Sequence, residues 1–242
     1  MNPEQHPKIL LIDVDGTLVD SFPGIRDSFL YALDNNGISR PPQQEIARIP
    51  GPPMSQTMAN LGLEGEVLDA TLRSYLEHQA GGGWSNAHAF PGMKKLLARW
   101  RKQGIILSTA TSKSMESAQR ILTHFGMLPY FHVLAAADPD TGRQGKAMVI
   151  DYALTQLNAI PEIAHWRQDT GLSLDPGELL LIGDRIHDVE GASAHGIASV
   201  LVSWGYGDEQ ERAQANACAA SPEELDHCVQ RWFADRGQSI DT

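Results

Sequence analysis

The sequence predicts an α/β fold: a doubly wound (Rossmann-like) parallel sheet core with an inserted all-helical cap domain. Three observations predict it. The apolar run Ile9-Leu10-Leu11-Ile12 ends in Asp13-Val14-Asp15-Gly16-Thr17, which reads as a buried strand delivering carboxylates to its carboxyl end. Strand-like and helix-like segments alternate from about residue 91 onward, as βαβ units of a parallel sheet require. Between residues 22 and 90 helical signals run on without strands. The expected division is therefore a core of residues 1–21 and 91–242 and a helical cap of residues 22–90.

In chain order, Ile25, Phe29 and Leu33 mark a helix that ends at Gly37. Met54 to Leu61 and Val67 to Leu76 continue the helical pattern as far as Gly81-Gly82-Gly83. Met93, Leu96, Leu97 and Trp100 stand at helical spacing after Pro91, with Gly104 as the stop. Strands are expected at Ile105 to Thr109, Val133 to Ala136, Leu179 to Ile182 and Ser199 to Val202. Between them, Ala118, Ile121, Leu122 and Phe125 form a helix stopped by Gly126, and Met148 to Leu157 form another. Asn158 to Pro176 reads as an irregular stretch too long for a tight connection. The tail beyond Arg236 is expected to be disordered.

The 242 residues are 42% hydrophobic and 20% charged, ordinary values for a chain that buries a proper core. A net charge of −11 with no offsetting basic stretch argues against a nucleic-acid partner. No run of eighteen apolar residues predicts a membrane span, and Met1 to Lys8 lacks the apolar core of a signal peptide. Cys218 and Cys228 fit no metal spacing and read as thiols of a reducing compartment. A cytoplasmic location is the resulting expectation. An anionic substrate would be met by a metal and local cations, because the overall field repels it.

Strand alternation leaves Asp13 and Asp15 on one side of the chain, with Val14 turned away. Gly16 permits a sharp turn, and Thr17 can bond locally to the backbone. Two acids this close raise each other's pKa and lose hydration, and a divalent cation offsets both costs. A plain strand-to-loop cap is the competing reading. Three later sites fall at the ends of later strands. Thr111, followed by Ser112 and Lys113 at a helix start, suits a phosphoryl oxygen, although an N-cap explains it equally well. Lys146, ahead of the Met148 helix, could pair with the first carboxylates, although a solvated lysine is the commoner arrangement. Asp184 and Asp188 stand one helical turn apart after the strand that ends at Gly183. Such a pair suits one acid ligating a metal and the other orienting it. Oxygen-only ligands beside a phosphate ester point to Mg²⁺. His187 has no ligand partner at suitable spacing and reads as surface.

Asp13-Val14-Asp15-Gly16-Thr17, Thr111, Lys146 and Gly183-Asp184…Asp188 follow the order of the four motifs of the haloacid dehalogenase-like superfamily. The resemblance runs along nearly the whole chain. Ser21-Phe22-Pro23-Gly24-Ile25, Gly51-Pro52-Pro53-Met54, Gly145-Lys146-Ala147, Gly191-Ala192 and Trp204-Gly205-Tyr206-Gly207 look like its phosphoglycolate phosphatase and 5′-nucleotidase-like branch. That branch carries a helical cap after the first motif. Two departures are the length of Asn158 to Pro176 and the extra residue that Ile49-Pro50 adds before Gly51.

The resemblance implies a phosphatase acting on a small phosphorylated metabolite, with phosphoglycolate the nearest analogy. Asp13 would be the nucleophile and form an aspartyl-phosphate, and Asp15 would be the acid and base. Mg²⁺ would be held by Asp13, the Asp15 carbonyl and Asp184, with Asp188 in support. Thr111 and Lys146 would position and neutralise the phosphoryl oxygens. Arg48 is the candidate cap residue that meets the substrate, with a solvated arginine the alternative, and Ser112 is a further substrate candidate. A 5′-nucleotidase or aryl-phosphate phosphatase uses the same chemistry, and Trp84 or Tyr75 could supply the aromatic platform a base needs. A non-catalytic phosphate-binding or regulatory module is the alternative from another class.

Overall fold

The computed structural model describes residues 6–237. The first strand, β1 (Ile9–Ile12), is followed by a short β2 (Val19–Asp20). Four helices come next: α1 (Phe22–Asn35), α2 (Gln43–Ile46), α3 (Met54–Asn60) and α4 (Gly65–Ala80). β3 (His88–Ala89) then leads into α5 (Met93–Lys102), β4 (Ile106–Thr109), β5 (Thr111–Ser114) and α6 (Met115–His124). β6 (Ala136–Ala137), α7 (Lys146–Ala159), α8 (Pro161–Thr170) and β7 (Leu180–Gly183) follow. The chain continues through α9 (Ile186–Ser193), β8 (Ala198–Val202), α10 (Glu209–Arg212), β9 (Ala217–Ala219) and α11 (Pro222–Gly237).

The main sheet has the order β4-β1-β7-β8-β9 and is parallel throughout. Alternation along each strand feeds two cores. Leu10, Ile12, Leu107, Leu180 and Ile182 face α5, α6 and α11, where Met93, Leu97, Trp100 and Leu225 are buried. Ile9, Leu11, Ile106 and Leu181 face the other way, onto Val149, Ile150, Ala153 and Leu157 of α7 and Ile163 of α8. A sheet buried on both faces explains why its strands are continuously apolar. The fold is thus the doubly wound α/β class that the alternation predicts. β1 lies between β4 and β7, its successors in this sheet, which sit on opposite sides of it. That reversal opens a crevice at the carboxyl end of β1, immediately before Asp13.

Between β2 and β3 the chain is helical, and Ile25, Phe29, Leu33, Ile49 and Met58 form a separate core there. β2 and β3 pair antiparallel, Val19 with Ala89 and Asp20 with His88, so the chain enters and leaves this helical region through one narrow ribbon. Among the described residues no helix is long and apolar enough to cross a membrane.

Three local expectations are corrected. Val133 to Ala136 is not a continuous strand: Val133 makes an isolated bridge to Ser108, and only Ala136–Ala137 pairs, with β5. The Thr109 hydroxyl enters the ladder there, donating to Ala135 O and accepting from Ala135 N, both at 2.7 Å. Thr111 to Lys113 belongs to β5 and not to a helix start, because Ser114 is the N-cap of α6 and accepts from Ser117 N. Residues 158–176 contain α8, started by Pro161, with Ile163 and Trp166 buried one turn apart and Gly171 closing the helix at φ +71°. The expectation for the tail falls, apart from Gly237, outside the described residues.

Trp100 is fully buried and its Nε1 donates to Asp226 Oδ1 at 2.8 Å, joining α5 to α11. Trp100→Ala should lower unfolding free energy by about 3–5 kcal/mol in urea titration, the usual cost of emptying an aromatic site in a core.

Candidate active site

Asp13 leaves β1 while its N–H still bonds to Ile182 O of β7 at 2.9 Å, so the backbone is fixed by the sheet. Asp184 directly follows β7, and Asp188 lies in the first turn of α9. Oxygen atoms of Asp13, Asp184 and Asp188 come within 4.8 Å of one another, and all three residues are buried. Asp188 Oδ2 accepts from the N–H groups of Asp184 and Arg185, both at 3.0 Å. Asp184 Oδ2 accepts from Tyr206 N at 2.7 Å.

Lys146, at the first turn of α7, enters this cluster from the neighbouring crossover. Its Nζ lies 2.7 Å from Ala110 O, 2.6 Å from Asp188 Oδ1 and 3.1 Å from Asp13 Oδ1. Three ammonium hydrogens thus meet three acceptors. Burial works against the ammonium, but the charges of Asp13 and Asp188 outweigh it and raise its pKa. Burial raises Asp13 to about 6 against the pull of Lys146, with the charges of Asp188 and Asp15 adding to the rise. Burial, followed by the charges of Asp188 and Asp13, lifts Asp184 well above the ordinary carboxylate range. Asp184 Oδ1 is buried with neither a hydrogen-bond nor an ion-pair partner. A carboxylate oxygen left bare beside two other acids is what a cation ligand requires.

Asp15 stands apart from this cluster. Its Oδ2 is paired with Lys113 Nζ at 3.0 Å, while Oδ1 is buried without a partner. The Thr111 hydroxyl accepts from Lys113 N at 3.3 Å, which turns the chain so that Lys113 reaches Asp15. Asp13, Asp15, Thr111, Ser112 and Lys113 line one end of a cavity of about 380 Å³, and Tyr75 lines it from α4. Lys146 and Ser112 border a second recess of about 250 Å³ alongside. Arg48 is corrected: it is exposed, it does not line the 380 Å³ cavity, and its charge acts on Asp208. The α2 turn carries it to the outside while Ile49 and Pro50 point inward. Trp84 also lies elsewhere, edge-on to His124 and under Arg120.

A family model described as haloacid dehalogenase-like hydrolase matches residues 10–202. The chain belongs to that family. It is 40% identical over 206 residues to a Mycobacterium tuberculosis protein named tyrosine-protein kinase PtkA, a match covering 85% of this chain. The chain spans 65% of that relative's length. It is 31% identical over 208 residues to a 5′-nucleotidase of Pseudomonas aeruginosa, covering 86% of this chain and 87% of that one. More distant relatives are named phosphoglycolate phosphatase. The crystal structure of a predicted phosphatase from Clostridium acetobutylicum superposes with a TM-score of 0.82 at 27% identity, covering 94% of this chain and all of that one. Within this one hydrolase family, the relatives and neighbours thus carry both phosphatase and kinase names.

Sequence reading assigned no role to several residues that shape this haloacid dehalogenase-like site. Tyr206 holds Asp184 through its N–H, while its hydroxyl donates to Asp20 and accepts from Ser21 N and Phe22 N. Arg185 is paired with Glu211 at 2.9 Å and donates through Nη1 to Pro50 O. Glycine at 16 and 205 lets the backbone close around Asp184, since a Cβ at either would sit 2.1–2.3 Å from it. Tyr206 and Arg185 act through contacts with distant segments, which neither spacing nor residue type reveals, whereas Gly16 stands in the first motif and reads there as a turn.

Removing Lys146 would strand two buried carboxylates. Lys146→Met should therefore cost about 3–5 kcal/mol of stability in denaturant titration at neutral pH. A pH signature follows from Asp13. Its folded pKa lies above the unfolded value, so its stability contribution is complete below about pH 4 and is lost as pH rises through about 6. In EDTA, Asp13→Asn should gain melting temperature over the wild type between about pH 4.5 and 7.5. Mg²⁺ should raise the wild-type Tm more at the upper end of that range, because the ligands are then deprotonated.

Proposed function

We propose that the chain is a Mg²⁺-dependent phosphatase that hydrolyses a small phosphorylated metabolite through an aspartyl-phosphate on Asp13. The observation that carries the reading is the Asp13–Asp184–Asp188 cluster clamped by Lys146 at one end of a cavity that also holds Asp15. In this reading residues 22–90 are the cap and residues 1–21 and 91–242 the catalytic core. Asp13, Asp184 and the Asp15 carbonyl would hold the cation, with Asp188 fixing the loop and Lys146. An oxygen-only set suits Mg²⁺, which supplies charge neutralisation for the phosphoryl group.

Asp13 attacks phosphorus, the bond to the leaving oxygen breaks, and Asp15 gives that oxygen a proton. Water then attacks the phosphoryl group, Asp15 takes a proton back, and the bond to Asp13 breaks to release phosphate. Lys113 supports this role by holding one Asp15 oxygen, so that the unpartnered Oδ1 faces the proton transfer. Thr111 and Ser112 supply hydroxyl and backbone donors beside the phosphoryl group. Lys146 keeps Asp13 charged for attack and adds positive charge beside it. An apolar cap wall excludes bulk water while the acyl phosphate exists.

Phosphate release from a panel of phosphoglycolate, nucleoside monophosphates, sugar phosphates and an aryl phosphate tests the reading. Activity should need Mg²⁺, and Asp13→Asn should lower it by at least about a thousandfold with the fold intact by circular dichroism. An active, well-folded Asp13→Asn protein would remove the nucleophile. Free phosphate in the medium also separates hydrolysis from transfer to a tyrosine, the activity in the mycobacterial relative's name.

A further inference from the structure

The cavity over Asp13 and Asp15 is divided in chemical character. Its core end carries Asp13, Asp15, Thr111 and Lys113. Its other end is built from Ile49, Pro52, Met54, Leu72, Tyr75 and Leu76. Among the described residues, no arginine, and no lysine other than Lys113, lines it. Lys113 is committed to Asp15, and Arg185, nearby, is committed to Glu211 and Pro50 O. The polar side chains on the cap side are few. Gln79 directs its amide N–H groups away from the cavity, to Gly24 O and Ser28 Oγ. Burial, together with the charge of Asp15, raises the Tyr75 pKa, so its ring carries a neutral hydroxyl. Leu76, at 55% exposure, keeps part of its side chain open beside the cavity.

We propose that the physiological substrate is an aryl phosphate, with an uncharged aromatic leaving group that packs on Tyr75, Leu72 and Leu76. The proposal rests on the phosphatase reading above and names the substrate class for it. Charge decides between aryl and carboxylated esters. Four aspartates meet two lysines here, so a divalent cation brings the site to neutrality, and the phosphate dianion already makes it negative. A second carboxylate, as in phosphoglycolate, would be desolvated against apolar walls with no free cation to receive it. A ring instead covers side chains that are otherwise wetted, and burying that apolar surface favours binding. Ile49-Pro50, the extra length in the cap loop, supplies part of the apolar wall and carries Arg48 outside it.

The test compares 1-naphthyl phosphate with phosphoglycolate, by kcat/KM in Mg²⁺ and by calorimetric Kd on Asp13→Asn protein. Naphthyl phosphate should be favoured by at least about tenfold in both, the equivalent of one well-buried ring. Leu76→Arg, at an exposed position where folding is retained by circular dichroism, should narrow or reverse the preference by adding the missing cation. Equal or better use of phosphoglycolate by the wild type would overturn the aryl assignment and leave the phosphatase reading standing. If neither ester is hydrolysed, the wider panel above decides the phosphatase reading, and the two Kd values still decide what the cavity accepts. Tighter naphthyl phosphate supports the assignment, and equal or tighter phosphoglycolate overturns it.

Discussion

The buried ammonium of Lys146 is the constraint on which the rest of this site depends. It arrives on α7, yet its three partners are Asp13 after β1, Asp188 on α9 and the carbonyl of Ala110 after β4. Three separate strand ends are thus drawn to one point. Burying several carboxylates at the carboxyl edge of a sheet is unfavourable unless positive charge enters with them. Lys146 supplies part of it, and the bare oxygen of Asp184 leaves room for a cation to supply the rest.

From that point, two arms reach toward the helical region. Tyr206 grips Asp184 with its N–H and the start of α1 with its hydroxyl. Arg185, the residue after Asp184, reaches the Pro50 carbonyl while Glu211 holds its guanidinium in place. The segment carrying the cluster therefore also fixes two places where the helical region passes over the sheet. Local order in the acidic loop and the position of the cavity wall are coupled through these bonds. The β2–β3 ribbon is a further connection, and it is only two residue pairs long.

Much of this was legible in the sequence because its signals are local. An apolar run between polar turns marks β1, β4, β7 and β8, and 3.6-residue spacing marks α5, α6 and α7. Asp13, Asp184 and Asp188 could be singled out because each follows such an element at a fixed offset, whereas Lys146 was picked out by the family resemblance. The errors came from tertiary bonds overriding local pattern. Thr109 displaced a strand by placing its hydroxyl in the ladder, and pairing with β6 kept Thr111 to Ser114 extended where a helix start was expected. The missed α8 was a misjudged signal, since Pro161, Ile163, Trp166 and Gly171 already spell its start, its buried stripe and its stop.

The sequence by itself determined the fold class, because strand alternation and helix periodicity dictate it, and its resemblance to the haloacid dehalogenase-like superfamily pointed to the four acidic and basic positions. Only the tertiary structure decided how those groups share charge and what surrounds them. That Lys113 pairs with Asp15, that Tyr206 holds Asp184, and that Arg48 turns away while Leu72, Tyr75 and Leu76 face the cavity are contacts between distant segments. Sequence spacing encodes the direction of a side chain relative to its own helix or strand. It does not encode which neighbour that direction meets, which packing of the helical region on the sheet alone settles.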